Sequence, residues 1–295
     1  MVGSKAVLYA LPLFPASFVA HAFMPHAPRI HLTFLHANGY PSGVYRQFFD
    51  ALRARHVIVA APEILATAPD CAPHRRWPNM LEQALGETRT ASGAHTRRAI
   101  VGHSMGGYLA LQAAARHPER VSDVVLIDAP IPTGWRANLL TLSQLTGLAY
   151  RAGPAPIAAR RRDQWPSRAA AREFFAGKAF VQRWAPGVLD DFIAHALVPT
   201  GSNDAVTLRV PRDTERDIYA HIVHSAARRA LETLRRTQVR VSFMAGRASE
   251  ETRMAGFAAN ERLFAPHFHS LPNGHLIPME APVQCAELLL DILGS

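Results

Sequence analysis

Short apolar, β-branched runs recur along the chain, and amphipathic segments of helical period lie between them. The runs are IHLTFLH (30–36), HVIVAAP (56–62), RAIVGH (98–103) and VSDVVLID (121–128). VRVSFMAG (239–246) and HFHSLP (267–272) resume the series after a gap. Helical patterns cover 44–55, 77–88, 108–117 and 283–293. Runs this continuously apolar belong to strands buried on both faces. Their alternation with helices predicts an α/β fold with a mostly parallel sheet flanked by helices.

The gap divides the chain. Residues 134–236 hold no convincing strand pattern, and prolines from Pro154 to Pro211 punctuate helix-like pieces such as 167–175 and 215–235. The pattern predicts a helical insertion at 134–236 between two parts of one core, 1–133 and 237–295.

At 295 residues, 48% hydrophobic and 19% charged, the chain is long enough to bury a full core and is not disordered. Its formal charge of +9 comes from scattered arginines; all but two of the 32 basic residues, Lys5 and Lys178, are Arg. No nucleic-acid motif accompanies them, so no nucleic-acid partner is expected. Sixteen basic and nine acidic residues fall in 134–236, an excess that could draw anionic substrates. Cys71 and Cys285 have neither a CxxC nor a zinc-ligand spacing, so no metal or disulfide framework is implied. The first 22 residues resemble a signal peptide only loosely, since Pro12 and Pro15 break the apolar run behind a lone Lys5. An N-terminal arm and a cytoplasmic protein are the expectation. No run of about 20 apolar residues suggests a membrane span.

Gly102-His103-Ser104-Met105-Gly106 stands where an apolar strand gives way to the best helix-forming stretch of the chain. A Gly-x-Ser-x-Gly turn between strand and helix pushes the serine out above the sheet, where its hydroxyl can meet a base. The following helix N-terminus favours developing negative charge. His103 should pack or hydrogen-bond on the side opposite Ser104.

Here the chain resembles the α/β-hydrolase superfamily over nearly all its length. The segments HANGYPSGVYR (36–46), LIDAPIPTGW (126–135) and AGRASEETRMAG (245–256) also resemble those of bacterial hydrolases of this type. The resemblance implies that His36-Ala37-Asn38-Gly39 builds an oxyanion hole from the backbone N–H groups of Asn38 and Met105. Ala37 stands where the family usually has glycine. It also implies that His275, in Asn273-Gly274-His275 after the last strand, is the general base. The usual acid slot, three residues past Gly246, holds Ser249. Asp128, ending VSDVVLID, is therefore the preferred acid, with Glu251 or Glu250 as alternatives.

These roles imply a serine hydrolase that cleaves an ester or related acyl bond of a small molecule through an acyl-enzyme on Ser104, with no cofactor. A non-hydrolytic ligand-binding member of the same fold is the alternative. Acyltransferase, carbon–carbon hydrolase and cofactor-free haloperoxidase chemistry would use the same residues. The insertion is expected to be a cap over the pocket, with most of its apolar residues, Trp135, Leu139, Leu142 and Leu145 among them, packing helix to core. Nothing in the sequence determines the oligomeric state.

Overall fold

Every residue of the strand Asp123–Ile127 is buried, as a central parallel strand with helices on both faces requires. The computed structural model describes residues 29–65, 68, 70–88, 96–201 and 204–294; the proposed N-terminal arm lies outside them. From β1 (Arg29–Leu35) the chain runs through α1 (Arg46–Arg53), β2 (Ile58–Ala60) and α2 (Arg76–Glu87). It continues through β3 (Thr96–His103) and α3 (Met105–Arg116) to β4 (Asp123–Ile127). An insertion follows: α4 (Trp135–Leu145), α5 (Pro154–Arg160), β5 (Gln164–Trp165), α6 (Arg168–Ala176), α7 (Val188–His195), β6 (Leu197–Pro199), β7 (Val206–Leu208) and α8 (Arg212–Ala220). Then come α9 (His224–Leu234), β8 (Arg240–Gly246), α10 (Glu250–Ala255), α11 (Phe257–Phe264) and β9 (Phe268–Leu271), with α12 (Ile277–Glu280) and α13 (Pro282–Gly294) closing the chain.

Six strands pair in parallel in the order β2-β1-β3-β4-β8-β9. Alternation along β4 sends Val125 and Ile127 into the cluster under α1 and α13, and Val124 and Leu126 into the cluster under α2, α3 and α9. Each fully buried Leu, Val or Phe of these layers contributes about 1.5–3 kcal/mol.

Two details depart from the helical expectation for 134–236. β5, β7 and β6 form a small antiparallel sheet within it. Strands of two or three residues are too short to leave a periodic signal. α9 packs on α3 and buries Ala227, Leu231 and Leu234 in the core, so this helix covers the main sheet. The segment after β8 is helical in α10 and α11. Among the described residues no helix is long and apolar enough to cross a membrane.

At the starting edge of the sheet, buried Asp123 ties three strands together. Its carboxylate accepts bonds from Arg97 Nε (2.7 Å) and Nη2 (2.9 Å) on β3 and from Arg240 Nε (2.9 Å) on β8. Burial alone would raise its pKa, but hydrogen bonds from Arg97 and Ser122 and the charges of Arg97 and Arg240 hold it below the ordinary value of 3.8. The stability this contributes is present above that value and is lost as pH falls through the lower folded pKa. Asp123→Ala leaves two guanidiniums facing each other and should cost about 3 kcal/mol, read as a fall in the urea midpoint. An unchanged midpoint would remove the cluster from the account of stability.

Candidate active site

β3 ends at His103 and α3 begins at Met105, so the chain reverses at Ser104 with φ 52° and ψ −116°. A positive φ at a non-glycine residue costs on the order of 1–3 kcal/mol and persists only where the surroundings enforce it. A Cβ on Gly106 would lie 1.9 Å from the Leu35 carbonyl oxygen, and one on Gly102 would lie 2.2 Å from the Gly106 carbonyl carbon. The Ser104 N–H donates to the Ile127 carbonyl across to β4 (3.0 Å). The serine side chain keeps accessible surface while its neighbours are buried.

The loop after β9 brings His275 over this turn. Its Nε2 lies 3.0 Å from Ser104 Oγ, and its Nδ1 lies 2.7 Å from Asp128 Oδ2. Asp128, just past β4, also takes a positive φ (41°). It is fully buried and accepts bonds from the Gly246 N–H (2.8 Å), Thr252 Oγ1 (2.9 Å) and Ser249 Oγ. Ser249, standing in the usual acid slot, therefore holds Asp128 in place. Its Oγ also accepts the Thr252 N–H and caps α10. Burial pulls the His275 pKa down, but the hydrogen bond and charge of Asp128, with lesser help from Glu251 and Glu280, raise it above 6.5.

The two glutamates separate. Glu250 is exposed and pairs with Arg253. With Asp128 as the acid, Glu251 is expected to face elsewhere, but its Oε2 lies 3.8 Å from His275 Nδ1 and 3.4 Å from Ser249 Oγ. It is half exposed, and the direct hydrogen bond to the imidazole belongs to Asp128. Asp128, Glu251 and His275 are also spaced so that a metal ion could be held, although their atoms already engage one another.

His103 has the place expected for it and more hydrogen bonding than expected. Its buried ring reaches Tyr45 Oη (2.8 Å) through Nδ1 and the His275 carbonyl (2.9 Å) through Nε2. A carbonyl only accepts, so Nε2 carries the proton and Nδ1 accepts from the tyrosine hydroxyl. The Tyr45 oxygen in turn accepts the Ala37 N–H (3.0 Å). One chain thus joins the loop after β1, the serine turn and the histidine loop. Burial beside His275 lowers the His103 pKa to about 3, so the ring stays neutral.

Asn38 lies in the loop after β1, and Met105 is the first residue of α3. Among the described residues neither N–H donates to a protein acceptor. Asn38 Nδ2 donates to the Glu215 carbonyl on α8 (3.0 Å), bringing the insertion onto this loop. The Glu215 carboxylate pairs with Arg161 (2.8 Å) and packs beside Gly39. Burial raises its pKa to about 7 against the opposing pull of Arg161. Burial raises the pKa of the Tyr40 and Tyr219 hydroxyls, with nearby Glu215 and Glu251 adding to the rise and Arg161 opposing it. Tyr45, Thr252, Arg161 and Glu215 carried no motif and were not legible as site residues.

The sequence from residue 34 to residue 288 matches the family model described as the alpha/beta hydrolase family. The chain belongs to that family. Solved structures share its fold at low identity. A thioesterase domain from the curacin biosynthetic pathway is 18% identical with a TM-score of 0.68, covering 92% of each chain. E-2-(acetamidomethylene)succinate hydrolase is 17% identical with a TM-score of 0.65, covering 91% of this chain and 92% of that one. The enol-lactonase of Burkholderia xenovorans is 17% identical with a TM-score of 0.58, covering 92% and 94%. A search of curated proteins gave no match.

Because the turn leaves no space beside Gly106, Gly106→Ala should cost more than about 4 kcal/mol or yield no folded protein. Gly86→Ala, with open space around the added methyl, is the control and should stay within about 1 kcal/mol of the parent. Comparable unfolding midpoints for the two variants would contradict the steric account.

Proposed function

We propose that the protein is a serine hydrolase that cleaves an ester or related acyl bond of a small molecule, with Ser104 as nucleophile, His275 as general base and Asp128 as the acid. The observation that carries this reading is the continuous chain Ser104 Oγ–His275 Nε2 and His275 Nδ1–Asp128 Oδ2, at 3.0 and 2.7 Å. Attack on a substrate carbonyl moves the serine proton to Nε2. The Asp128 carboxylate stabilises the imidazolium and holds the ring in the tautomer that leaves Nε2 free to accept. The Asn38 and Met105 N–H groups would receive the oxyanion, each worth about 3 kcal/mol in the transition state. Collapse of the intermediate breaks the bond to the leaving group, which takes the proton from His275 Nε2, and water then hydrolyses the acyl-enzyme with the neutral His275 again as base.

The insertion is read as a cap. The contact of α8 with Asn38 and Gly39 supports this.

Labelling with a fluorophosphonate and turnover of p-nitrophenyl esters test the assignment. Ser104→Ala should abolish both while circular dichroism is unchanged; wild-type turnover in that variant would end the hydrolase reading. Asp128→Asn should lower kcat by up to about 10⁴-fold, and Glu251→Gln far less. The reverse ranking would transfer the acid role to Glu251.

The base must be unprotonated to act, so kcat/KM should fall on the acid side with a midpoint above the ordinary histidine value of 6.5. Asp128→Asn should move that midpoint downward. A midpoint at or below 6.5 in the parent would contradict the raised pKa of His275.

A further inference from the structure

α4 is built inside out. The side turned to α9 carries polar residues: Thr141 Oγ1 meets His224 Nε2 (3.1 Å), and Gln144 Nε2 donates to the Ile222 carbonyl (2.9 Å). None of its residues is buried. Trp135, Leu139, Leu142 and Leu145 follow one another at i, i+4, i+7 and i+10, which places them within one third of the helix circumference. That stripe faces outward, with Trp135 65% and Leu145 81% exposed. Leu148 and Ile157 (72% exposed) extend it toward and along α5. Large exposed apolar side chains are otherwise few among the described residues: Ile58, Met254 and Val283 lie outside this stretch. A contiguous apolar ridge of this kind marks an interaction surface.

The charge on this stretch is one-sided. No Asp or Glu occurs from residue 129 to residue 162, while five arginines do. Arg161 turns inward onto Glu215, and Arg136 lies over the Trp135 ring. Arg151 and Arg160 are exposed on this stretch, while Arg162 lies over the Trp165 and Phe174 rings. Leucines and a tryptophan on one face of a helix, flanked by arginines without acidic residues, have the composition of a helix lying in a lipid headgroup region.

We infer that the outward face of α4, with the following turn and α5, docks the protein on an anionic lipid surface. Trp135, Leu139, Leu142 and Leu145 enter the boundary between headgroups and acyl chains, and Arg151 and Arg160 meet the anionic headgroups. A second copy of the chain is a poorer occupant, because face-to-face pairing would bring these arginines together. A protein partner is also disfavoured: interface centres concentrate aromatic side chains, whereas leucine dominates here. The docked face begins a few residues after Asp128, and Arg136 lies beside Gly256 at the end of α10. Docking therefore sets the helix bearing Glu251 close to the lipid.

Co-sedimentation of the full chain with extruded vesicles tests this. Vesicles of phosphatidylcholine with about 30% phosphatidylserine should bind the protein about tenfold or more tightly than phosphatidylcholine alone, and raised salt should weaken the binding. Leu142→Glu with Leu145→Glu should reduce binding about tenfold or more, and Arg151→Glu with Arg160→Glu should reduce it on phosphatidylserine vesicles alone. Both double variants should keep the parent circular dichroism and its turnover of p-nitrophenyl acetate. Absence of sedimentation with either vesicle, or binding that the variants leave intact, would overturn the inference. So would a dimer in analytical ultracentrifugation that Leu142→Glu dissolves, since the face would then belong to a second copy.

Discussion

No atom fits where a side chain would leave Gly106, and the arrangement of the upper sheet edge follows from that exclusion. With Cβ atoms missing at Gly102, Gly106 and Gly107, α3 settles directly against the backbone after β1 and against Ala129 beyond β4. Only this approach leaves Ser104 with nowhere to go but upward, in a backbone conformation that a free chain would avoid. Burial of Leu109, Leu111 and Ala110 along the same helix holds the turn closed. The strain at the serine is therefore balanced by packing several residues away. Asp128 repeats the pattern with a positive φ on the neighbouring strand.

Around that turn, the buried imidazoles carry no uncompensated charge. Charged histidine at position 103 would have to be desolvated without an anion in contact, so the ring stays neutral and serves as a donor to one loop and an acceptor from Tyr45. His36 behaves in the same way: burial lowers its pKa to about 4, and its two nitrogens engage Ala37 and Leu65. His275 differs because a buried carboxylate touches it. Three histidines within one small region thus divide into two fixed structural rings and one that can take a proton. The decisive variable is whether an acid lies within hydrogen-bond distance.

The insertion shows two opposite surfaces. Toward the loop after β1 it presents the Arg161–Glu215 pair, whose glutamate is buried beside Asn38 and Gly39. Away from it, α4 presents leucine and tryptophan. A helix in a globular protein ordinarily turns its apolar stripe inward, and this inversion is incompatible with the earlier expectation that those residues pack helix to core. What fastens α4 instead is a pair of side-chain hydrogen bonds to the α9 region.

The parallel sheet, the flanking helices and the turn at Ser104 were legible in the sequence because each depends on local pattern, whereas His275 was singled out only by the resemblance of its segment to the α/β-hydrolase superfamily. Continuous apolar runs require two covered faces, and a Gly-x-Ser-x-Gly turn between strand and helix has one tight geometry. Asp128 could be preferred from its strand-end position, but its partners could not be foreseen. Ser249, Thr252 and Gly246 lie more than a hundred residues away in sequence and meet it only because β8 pairs with β4. The small sheet of β5, β7 and β6 escaped notice because strands of two or three residues span too few alternations to form a pattern. The side of α4 that faces out was likewise undecidable, since hydrophobic spacing identifies a stripe and says nothing about what it meets. Periodicity is a property of neighbours along the chain. Partnership between distant residues is settled only when the sheet and its helices close around them.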